Sequence, residues 1–337
     1  MQLLENVNLK KYLSFSNSVQ CDKLILIDHL NDIDEALRKF SSAYILGGGS
    51  NVLVTKSHIA QTILKINLKG KRVIKEEDDY CLVEANAGEV WHDLVLWAVD
   101  RDLGGIENLS FIPGLVGAAP IQNIGAYGVE LKDVLHSVSV YDRKHHCLKV
   151  FHGSECQFGY RDSIFKSSYK NWYVVTSIIL RLSKNFHALK TEYGAIQEKL
   201  KDRNILEPTI QDISSVIIEI RKQKLPDPSE LGNAGSFFKN PIIPIDVFEK
   251  IKSKFDTMPN YPVSKDYVKV PAGWLIEQCG WKGKRVGHTG CYKNQALVIV
   301  NYGEATGQEI EAHAKIVQQS VFDKFGIEIN PEVNILS

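Results

Sequence analysis

Two glycine-rich stretches are the first residues that could bind a ligand. One of them follows the apolar run Tyr44-Ile45-Leu46 and reads G-G-G-S-N over 47–51. Glycines at the end of a strand allow backbone N–H groups to converge on a phosphate, because no side chain obstructs the approach. The run is not a G-x-G-x-x-G fingerprint, and it is not a P-loop, because no G-K-[ST] follows. A phosphate-binding loop and a tight β-turn both remain open for this stretch alone.

The second stretch, 112–128, reads I-P-G-L-V-G-A-A-P-I-Q-N-I-G-A-Y-G, with four glycines, two prolines and three alanines. It fits neither helical nor strand periodicity. A long irregular segment of small residues usually lines a ligand or is disordered, and its apolar residues Leu115, Val116 and Ile124 argue against disorder. Two such loops in one domain predict a large cofactor with a pyrophosphate and a flat ring. A purely structural loop is the alternative.

An arginine could supply the positive charge of a substrate site. Arg161 lies in G-Y-R-D-S-I-F (159–165), between aromatic and apolar residues, where a simple solvated surface position is not expected. The planar fork of guanidinium donors fits a carboxylate or an enolate. A buried structural pair between Arg161 and Asp162 is the alternative.

A serine and a glutamate are further candidates. Ser236 follows the turn G-N-A-G (232–235) and precedes two phenylalanines. The run is not a G-x-S-x-G nucleophile elbow, because Phe238 replaces the second glycine. The hydroxyl could instead donate a proton or hydrogen-bond a substrate, although serines in turns are mostly caps. Glu332, in P-E-V (331–333), is by itself more typical of a surface than of a site. The adjacent histidines at 145 and 146 lie in a polar turn, so we expect no metal site.

Composition excludes several classes of protein. The 337 residues are 44% hydrophobic and 24% charged, which is ordinary for a globular protein of about two domains. Forty basic and forty acidic residues give a formal net charge of zero, so the sequence predicts neither a nucleic-acid-binding nor a membrane-binding protein. Six scattered cysteines without a C-x-x-C pair, no long apolar segment and no signal peptide indicate a protein of the reducing cytoplasm.

Secondary-structure patterns place these residues in two parts of the chain. Asn31 is predicted to cap the first helix, and L-P-D-P at 225–228 is predicted to end a helix and mark a boundary near 223. Strands are predicted at 23–27, 134–141, 147–151, 172–182 and 296–301, with a strand-like segment over 327–336. Helices are predicted near 90–101, 213–222, 245–255, 271–279 and 307–325.

The motifs together resemble the UDP-N-acetylenolpyruvoylglucosamine reductase family of flavoenzymes. The matching strings occur in family order and are L-G-G-G-S-N-V-L-V (46–54), the whole of 112–128, F-G-Y-R-D-S-I-F (158–165), K-L-P-D-P (224–228), G-N-A-G-S-F-F-K-N-P (232–241) and P-E-V (331–333). T-E-Y-G at 191–194 is similar to the loop of the family's longer branch, in which a tyrosine closes over the substrate.

The resemblance implies an α+β fold with two domains. A FAD-binding domain of the vanillyl-alcohol-oxidase type would cover 1–222, with a final strand at about 326–337 returning to it. A smaller α/β domain over 223–325 would bind the UDP-sugar. FAD would be held noncovalently, because neither cofactor loop contains the His or Cys that attaches flavin in the wider fold, and NADPH would be the hydride donor.

The resemblance also implies roles for individual residues. Catalytic roles fall on Arg161, Ser236 and Glu332. Cofactor contacts fall on Gly47, Gly48, Gly49, Ser50, Asn51, Pro113, Gly117, Ala118, Ile121, Gln122, Asn123, Gly125 and Arg221. Substrate contacts fall on Tyr193, Lys224, Asn240 and Gln295.

The implied reaction reduces the enolpyruvyl ether of UDP-N-acetylglucosamine to a lactyl ether in peptidoglycan precursor synthesis. Arg161 and Glu332 would stabilise the enolate-like charge beside the substrate carboxylate, and Ser236 would protonate the α carbon. We therefore expect a small molecule as the partner and a monomeric protein. The alternatives are another FAD-dependent oxidase or dehydrogenase of the same cofactor fold, and a noncatalytic flavin- or nucleotide-binding protein, which would not need all three of these residues.

Overall fold

A computed structural model describes every residue from Met1 to Ser337. Its contacts divide the chain into two compact units. Unit 1 consists of Met1–Val7, Cys21–Gly49 and Ile59–Lys222, and unit 2 consists of Asn8–Gln20, Ser50–His58 and Gln223–Ser337. The chain passes from one unit to the other at 7/8, 20/21, 49/50, 58/59 and 222/223. Each unit contains both helices and sheets, which confirms the predicted α+β class.

The helices and strands have the following bounds. The α-helices are α1 (Asn31–Lys39), α2 (Trp91–Val99), α3 (Gly194–Asp202), α4 (Ile210–Lys224), α5 (Ile245–Lys252), α6 (Ala272–Gln278) and α7 (Gly307–Phe325). The strands as far as α3 are β1 (Gln2–Asn8), β2 (Gln20–Ile27), β3 (Tyr44–Leu46), β4 (Val52–Val54), β5 (His58–Ile59), β6 (Ile63–Ile66), β7 (Lys71–Glu76), β8 (Tyr80–Asn86), β9 (Gly125–Ala126), β10 (Val129–Glu130), β11 (Leu135–Asp142), β12 (Cys147–His152) and β13 (Tyr173–Ser183). The later strands are β14 (Gly232–Ser236), β15 (Ile242–Pro244), β16 (Tyr261–Pro262), β17 (Tyr267–Lys269), β18 (Arg285–Val286), β19 (Thr289–Cys291), β20 (Val298–Asn301) and β21 (Asn334–Leu336).

The first sheet of unit 1 has the strand order β1-β2-β6-β3. Both β2 and β3 pair with β6 in parallel, and α1 connects β2 to β3. The helix buries Ile33, Ala36 and Leu37 in a core shared with this sheet. The prediction that Asn31 caps α1 is wrong: the helix begins at Asn31, and the preceding Leu30 is helical and makes no side-chain cap.

The second sheet of unit 1 has the order β12-β11-β13-β8-β7, with antiparallel neighbours throughout. Its strands include the three predicted from alternating apolar residues at 134–141, 147–151 and 172–182. The predicted helix α2 buries its apolar face in the same core, around Trp91 and Leu94. Next along the chain, α3 and α4 share a small core built on residues such as Ile196 and Ile217.

Unit 2 is built on an antiparallel sheet of order β14-β20-β19-β18 and a smaller sheet of order β15-β17-β16. The long helix α7 begins at a capping box between Thr306 and Glu309 and ends at Gly326, whose φ is 67°. The fully buried rings of Phe237, Phe238 and Phe248 lie in the core of the unit.

The final strand is shorter than the sequence predicts. Only Asn334–Leu336 forms a strand, β21, which pairs in parallel with β4. The segment before it makes a single bridge, between Pro331 and Phe238. Because proline has no N–H to donate, a regular ladder cannot continue through Pro331. None of the helices is both long and apolar enough to span a membrane.

Candidate active site

The glycine loop at 47–51 begins directly after β3. Gly49 has a φ of 65°, in the left-handed region that glycine adopts without strain. A Cβ atom at Gly48 would lie 3.1 Å from the Gly114 Cα and 3.4 Å from the Leu115 backbone nitrogen. The two glycine-rich stretches therefore meet backbone to backbone, and Gly48 leaves no room for a side chain.

The second stretch is held in place by the turn between β8 and α2. The Val116 N–H donates to the Glu89 carbonyl and the Gly117 N–H to the Ala87 carbonyl, both at 2.9 Å. A Cβ atom at Gly117 would lie 2.7 Å from that of Ala87. Contacts with residues outside the segment therefore fix its irregular structure. For this reason no local periodicity in the sequence predicts it.

The cofactor candidate Asn123 is fully buried, and its side-chain amide is engaged within the protein. Its Nδ2 donates to Glu130 and to the Gly159 carbonyl, both at 3.1 Å, and its Oδ1 accepts from the Lys132 N–H at 3.0 Å. The neighbouring Ile121 carbonyl accepts from the hydroxyl of Ser163 at 2.6 Å. These bonds join the second stretch to the turn that carries Arg161.

Arg161 projects from a tight turn closed by the bridge between Gly159 and Asp162. Its φ of 55° is unusual for a residue with a side chain. The guanidinium donates to the Gly125 carbonyl through Nη2, and a Cβ atom at Gly125 would lie 3.0 Å from Nη1. The structure therefore brings Arg161 directly against the cofactor candidate Gly125.

A second arginine lies in the same place. Arg221, near the end of α4, donates from Nε to the Phe111 carbonyl at 3.0 Å and also hydrogen-bonds Tyr127. Burial lowers the pKa of Arg221, and the nearby charge of Arg161 acts in the same direction. No carboxylate of the chain forms an ion pair with Arg221. Two guanidinium groups close enough to repel one another are suited to an anionic ligand.

The tyrosine of the 191–194 segment is connected to this pair of arginines. The ring of Tyr193 packs edge-on against that of Tyr127, with centroids 5.5 Å apart, and 41% of Tyr193 is exposed. Asn108 fixes the two segments, because its Nδ2 donates to the carbonyls of Tyr127 and Lys190, both at 2.9 Å. Tyr127 thus lies between Arg221 and Tyr193.

In unit 2 the structure brings the backbones of Ser236 and Glu332 close together. Ser236 is exposed at the end of β14, and the next residue, Phe237, accepts the Glu332 N–H at 2.8 Å. The Glu332 carbonyl accepts from Nδ2 of Asn51 at 3.3 Å. Asn51, in the glycine loop, therefore lies beside the predicted catalytic glutamate.

The turn before Ser236 depends on a residue that sequence reasoning did not select. The Asn233 side chain accepts from the Gly235 N–H at 2.9 Å and donates to the carbonyls of Pro226 and Leu231. Gly235 has a φ of 67°, and the pairing of β14 with β20 shifts register at this point. The bulge interrupts the ladder between Asn233 and Ser236, and Ser236 itself pairs with Val298.

The substrate candidates of unit 2 fall into two groups. The side-chain oxygens of Asn240 and Gln295 both lie beside the first turn of α6. Asn240 Oδ1 accepts from the Ala272 N–H at 2.9 Å. Gln295 Oε1 lies so close to Gly273 that a Cβ atom there would be only 2.9 Å from it. Their amide NH₂ groups donate to no protein acceptor. Lys224 is the exposed last residue of α4.

The loops pass a structural test for a cofactor that contains a diphosphate. Neither Gly48 nor Gly49 donates its N–H to a protein acceptor, and within 4 Å a Cβ atom at Gly47 would meet only that of Ala118, at 3.9 Å. Free N–H groups on a side-chain-free loop are the donor set that binds phosphate. Lys65, which sequence reasoning also missed, donates to the Gly47 carbonyl at 2.8 Å.

Comparison with known folds agrees with this test. A family model described as "FAD binding domain" matches residues 23–150. The VAO-type flavoprotein MtVAO615 of Myceliophthora thermophila is similar in fold, with a TM-score of 0.50 at 15% identity over 94% of this chain and 73% of that one. The fold and the site together define an FAD-containing oxidoreductase with the cofactor domain of the vanillyl-alcohol-oxidase type.

The remaining comparisons identify the family. A model described as "UDP-N-acetylenolpyruvoylglucosamine reductase, C-terminal domain" matches residues 227–336. The UDP-N-acetylenolpyruvoylglucosamine reductase of Flavobacterium johnsoniae is 50% identical over 338 residues and covers 100% of both chains. The structure of the reductase (MurB) from Thermus caldophilus has the same fold, with a TM-score of 0.68 at 22% identity over 100% of this chain and 98% of that one. The chain belongs to the UDP-N-acetylenolpyruvoylglucosamine reductase family.

Proposed function

We propose that backbone groups of the two glycine-rich stretches hold FAD and that charged and polar side chains act on the substrate. The reaction is that of the family: reduction of the enolpyruvyl ether of UDP-N-acetylglucosamine to UDP-N-acetylmuramate in peptidoglycan precursor synthesis. FAD, when bound, supplies the transfer of hydride from NADPH to the methylene carbon of the enolpyruvyl group.

The diphosphate of FAD lies on the loop Gly47–Gly49 with Ser50 and Asn51, and the flavin ring lies along the second stretch. The free N–H groups of Gly48 and Gly49 support this assignment. The second stretch contributes Pro113, Gly117, Ala118, Ile121, Gln122, Asn123 and Gly125. Since the Asn123 amide is used inside the protein, Asn123 contacts the cofactor through its backbone. Binding is noncovalent, because neither loop contains a His or Cys.

Arg161 binds the substrate carboxylate and stabilises the negative charge that develops at the adjacent carbon. A cation that is already in position when this charge forms lowers the barrier without further reorganisation. The bond from the Arg161 guanidinium to the Gly125 carbonyl fixes the cation at the cofactor stretch. Arg221 adds a second buried positive charge, and Glu332 polarises the same carboxylate.

Ser236 protonates the α carbon and completes the reduction. Its hydroxyl is exposed, and the Asn233 turn and the pairing of Phe237 with Glu332 fix its backbone. A serine hydroxyl is a weak acid, so it can donate only because the enolate-like intermediate is strongly basic.

Four side chains bind the UDP-sugar, away from the carbons that react. The unused amide donors of Asn240 and Gln295 are suited to diphosphate or sugar oxygens, and the exposed ammonium of Lys224 is suited to the diphosphate. Tyr193 covers the ligand from its position beside Tyr127. We assign 223–325 as the UDP-sugar domain and 1–222 as the FAD domain, with 326–337 returning to it.

The protein acts on this small molecule as a cytoplasmic monomer, without nucleic acid or membrane partners. Its six cysteines are all unpaired, as in proteins of a reducing compartment. The formal net charge of zero offers no general attraction for nucleic acid.

The observation that carries these assignments is the pair of guanidinium groups, Arg161 and Arg221, at the glycine-rich stretch that meets the 47–51 loop. Anaerobic stopped-flow absorbance tests them. NADPH should bleach the bound flavin, and the enolpyruvyl substrate, added second, should restore its colour. An Arg161→Ala variant should retain the first step and lose the second. Restoration by oxygen but not by the substrate would identify an oxidase of the same cofactor fold instead.

A further inference from the structure

Lys65 is a charged residue in the middle of an apolar strand. It belongs to β6, which reads I-L-K-I and lies between β2 and β3 in the first sheet of unit 1. Its partner across the ladder on β3 is Leu46, the last residue before the glycine loop. The other three residues of the strand are buried. The position therefore directs a long cationic side chain toward the start of the loop.

The contacts of Lys65 differ from those of the ion-paired lysines in unit 1. Its ammonium donates to the Gly47 carbonyl at 2.8 Å, and no carboxylate of the chain pairs with it. Lys71 and Lys199, by contrast, each pair with a glutamate at 2.7 Å. Burial lowers the pKa of Lys65, and the charge that acts on it, that of Lys69, lowers the pKa further. Keeping a half-buried cation without a counter-ion costs free energy. An anion that binds beside the cation removes this cost, which makes its binding free energy more favourable.

The loop that Lys65 contacts also presents unused hydrogen-bond donors. Gly48 and Gly49 follow the carbonyl that Lys65 holds, and neither N–H has a protein acceptor. Backbone donors and an uncompensated ammonium at one loop form a site for a ligand with more than one negative charge.

We propose that Lys65 is a cofactor-binding residue whose ammonium supplies the positive charge for the FAD diphosphate at the 47–51 loop. The proposal rests on the placement of the diphosphate given above and adds a residue from outside the glycine-rich motifs. The competing explanation is that Lys65 only fixes the Gly47 carbonyl through a hydrogen bond.

The test measures the dissociation constants of FAD and riboflavin for the full-length protein freed of its flavin. Riboflavin carries the same ring and no phosphate. Lys65→Met should weaken FAD binding roughly 10- to 100-fold, as expected for a hydrogen bond to a charged group, and should change riboflavin binding less than about threefold. Equal weakening of both ligands, or of neither, would overturn the proposal.

Two further variants separate charge from hydrogen bonding. Lys65→Gln can still donate to the Gly47 carbonyl but has no charge, so it should bind FAD as weakly as Lys65→Met. Lys65→Arg keeps the charge and should recover most of the affinity. If Lys65→Gln recovers the FAD affinity instead, Lys65 only supports the loop through its hydrogen bond to the Gly47 carbonyl. These two variants also decide the question if Lys65→Met fails to fold.

A matched control and one glycine variant complete the design. Lys69→Met removes a lysine that also donates to a backbone carbonyl, that of Gly88, and should leave FAD affinity unchanged. If Lys69→Met weakens FAD binding as much as Lys65→Met does, the loss of any nearby positive charge explains the effect and the proposal fails. Gly48→Val tests the placement of the diphosphate itself. If Gly48→Val loses FAD and Lys65→Met fully retains it, the role of Lys65 is rejected, whereas the placement of the diphosphate on the loop is not.

Discussion

The two units position their candidate functional residues by different means. In unit 1 the backbone forms the site: Gly48 meets Gly114, Gly117 meets Ala87, and Arg161 lies at a φ of 55°. In unit 2 side chains carry the candidate functions, and the exposed Ser236 lies at the end of β14, after a shift in the pairing register with β20. The first arrangement fixes a shape, whereas the second presents functional groups. Substitutions in the glycine-rich backbone of unit 1 should therefore remove FAD, whereas the loss of a single functional side chain should impair one step or one contact.

The largest effect is expected for Gly48→Val. A branched side chain would collide with the Gly114–Leu115 backbone or occupy the space of the diphosphate, so the purified variant should contain no FAD and be inactive. The ratio of flavin to protein absorbance after gel filtration measures this. Gly194→Ala is the matched control, because a Cβ atom there meets nothing within 4 Å, and it should retain FAD. Stoichiometric FAD in Gly48→Val would show that the loop is only a turn.

Ser236→Ala should affect one half of the reaction. Reduction of the flavin by NADPH needs no proton donor at carbon, so its single-turnover rate should stay near that of the wild type. Reoxidation by the enolpyruvyl substrate should slow by about a hundred- to ten-thousand-fold, the usual loss for a positioned acid. Ser236→Cys should recover part of the rate, because a thiol can donate a proton from nearly the same place. If both half-reactions slow equally, Ser236 supports the fold or the pocket and is not the acid.

Lys224→Ala and Tyr193→Phe should mainly raise KM for the UDP-sugar, by roughly tenfold, with kcat little changed. Both side chains are proposed to bind the substrate away from the reacting carbons, which is uniform binding of ground state and transition state. Steady-state kinetics at varied substrate concentration separates the two constants. Lys250→Ala, on the exposed face of α5, is the control and should change neither. A large fall in kcat at unchanged KM would place these residues in the chemistry.

The smallest effect concerns the stability of unit 2. His313 is buried beside Thr289 and the ring of Trp281, and burial lowers its pKa to about 4. The unfolded chain, with an ordinary histidine pKa near 6.5, then binds a proton that the folded unit does not, so stability falls as pH drops from about 6.5 to 4. The slope should not exceed about 1.4 kcal/mol per pH unit. Denaturant unfolding followed by tryptophan fluorescence measures it.

The control for this prediction is an exposed histidine. His288→Gln should keep the acid dependence of the unfolding midpoint, whereas His313→Gln should reduce it while lowering stability at neutral pH. An unchanged pH profile in His313→Gln would mean that other groups, such as carboxylates, cause the loss of stability in acid.

The sequence predicts the regular parts of the fold well. Alternating apolar residues predict the hairpin of β11 and β12, and the structure confirms the two strands, which pair from Ser137 with His152 to Asp142 with Cys147. Such patterns are local, because every second side chain of a strand faces the core. The end of the chain is harder to predict: apolar residues over 327–336 suggest one strand, but Pro331 interrupts the pairing before β21.

The motifs locate the site, whereas its supporting residues depend on tertiary contacts. Ser236 lies at the end of β14, and the residue after it accepts a hydrogen bond from the Glu332 N–H, but the chemical roles of Ser236 and Glu332 remain predictions. Asn233 belongs to a matching string, but the sequence does not predict its structural role. That role is visible only in the hydrogen bonds of its side chain to Gly235 and Pro226. Lys65 reaches Gly47 because β6 lies beside β3, and this strand order cannot be read from the order along the chain.

The pairing of β4 with β21 constrains how the protein can be made. The bond from Asn51 to the Glu332 carbonyl joins residues 281 positions apart. A ribosome synthesises the glycine loop and β4 long before their partner strand β21. Unit 2 therefore cannot complete its fold until β21 has been synthesised, and β4 remains without its partner strand until then. A fragment that starts at Gln223 would lack β4, so unit 2 cannot be produced in native form by a simple truncation at the predicted domain boundary.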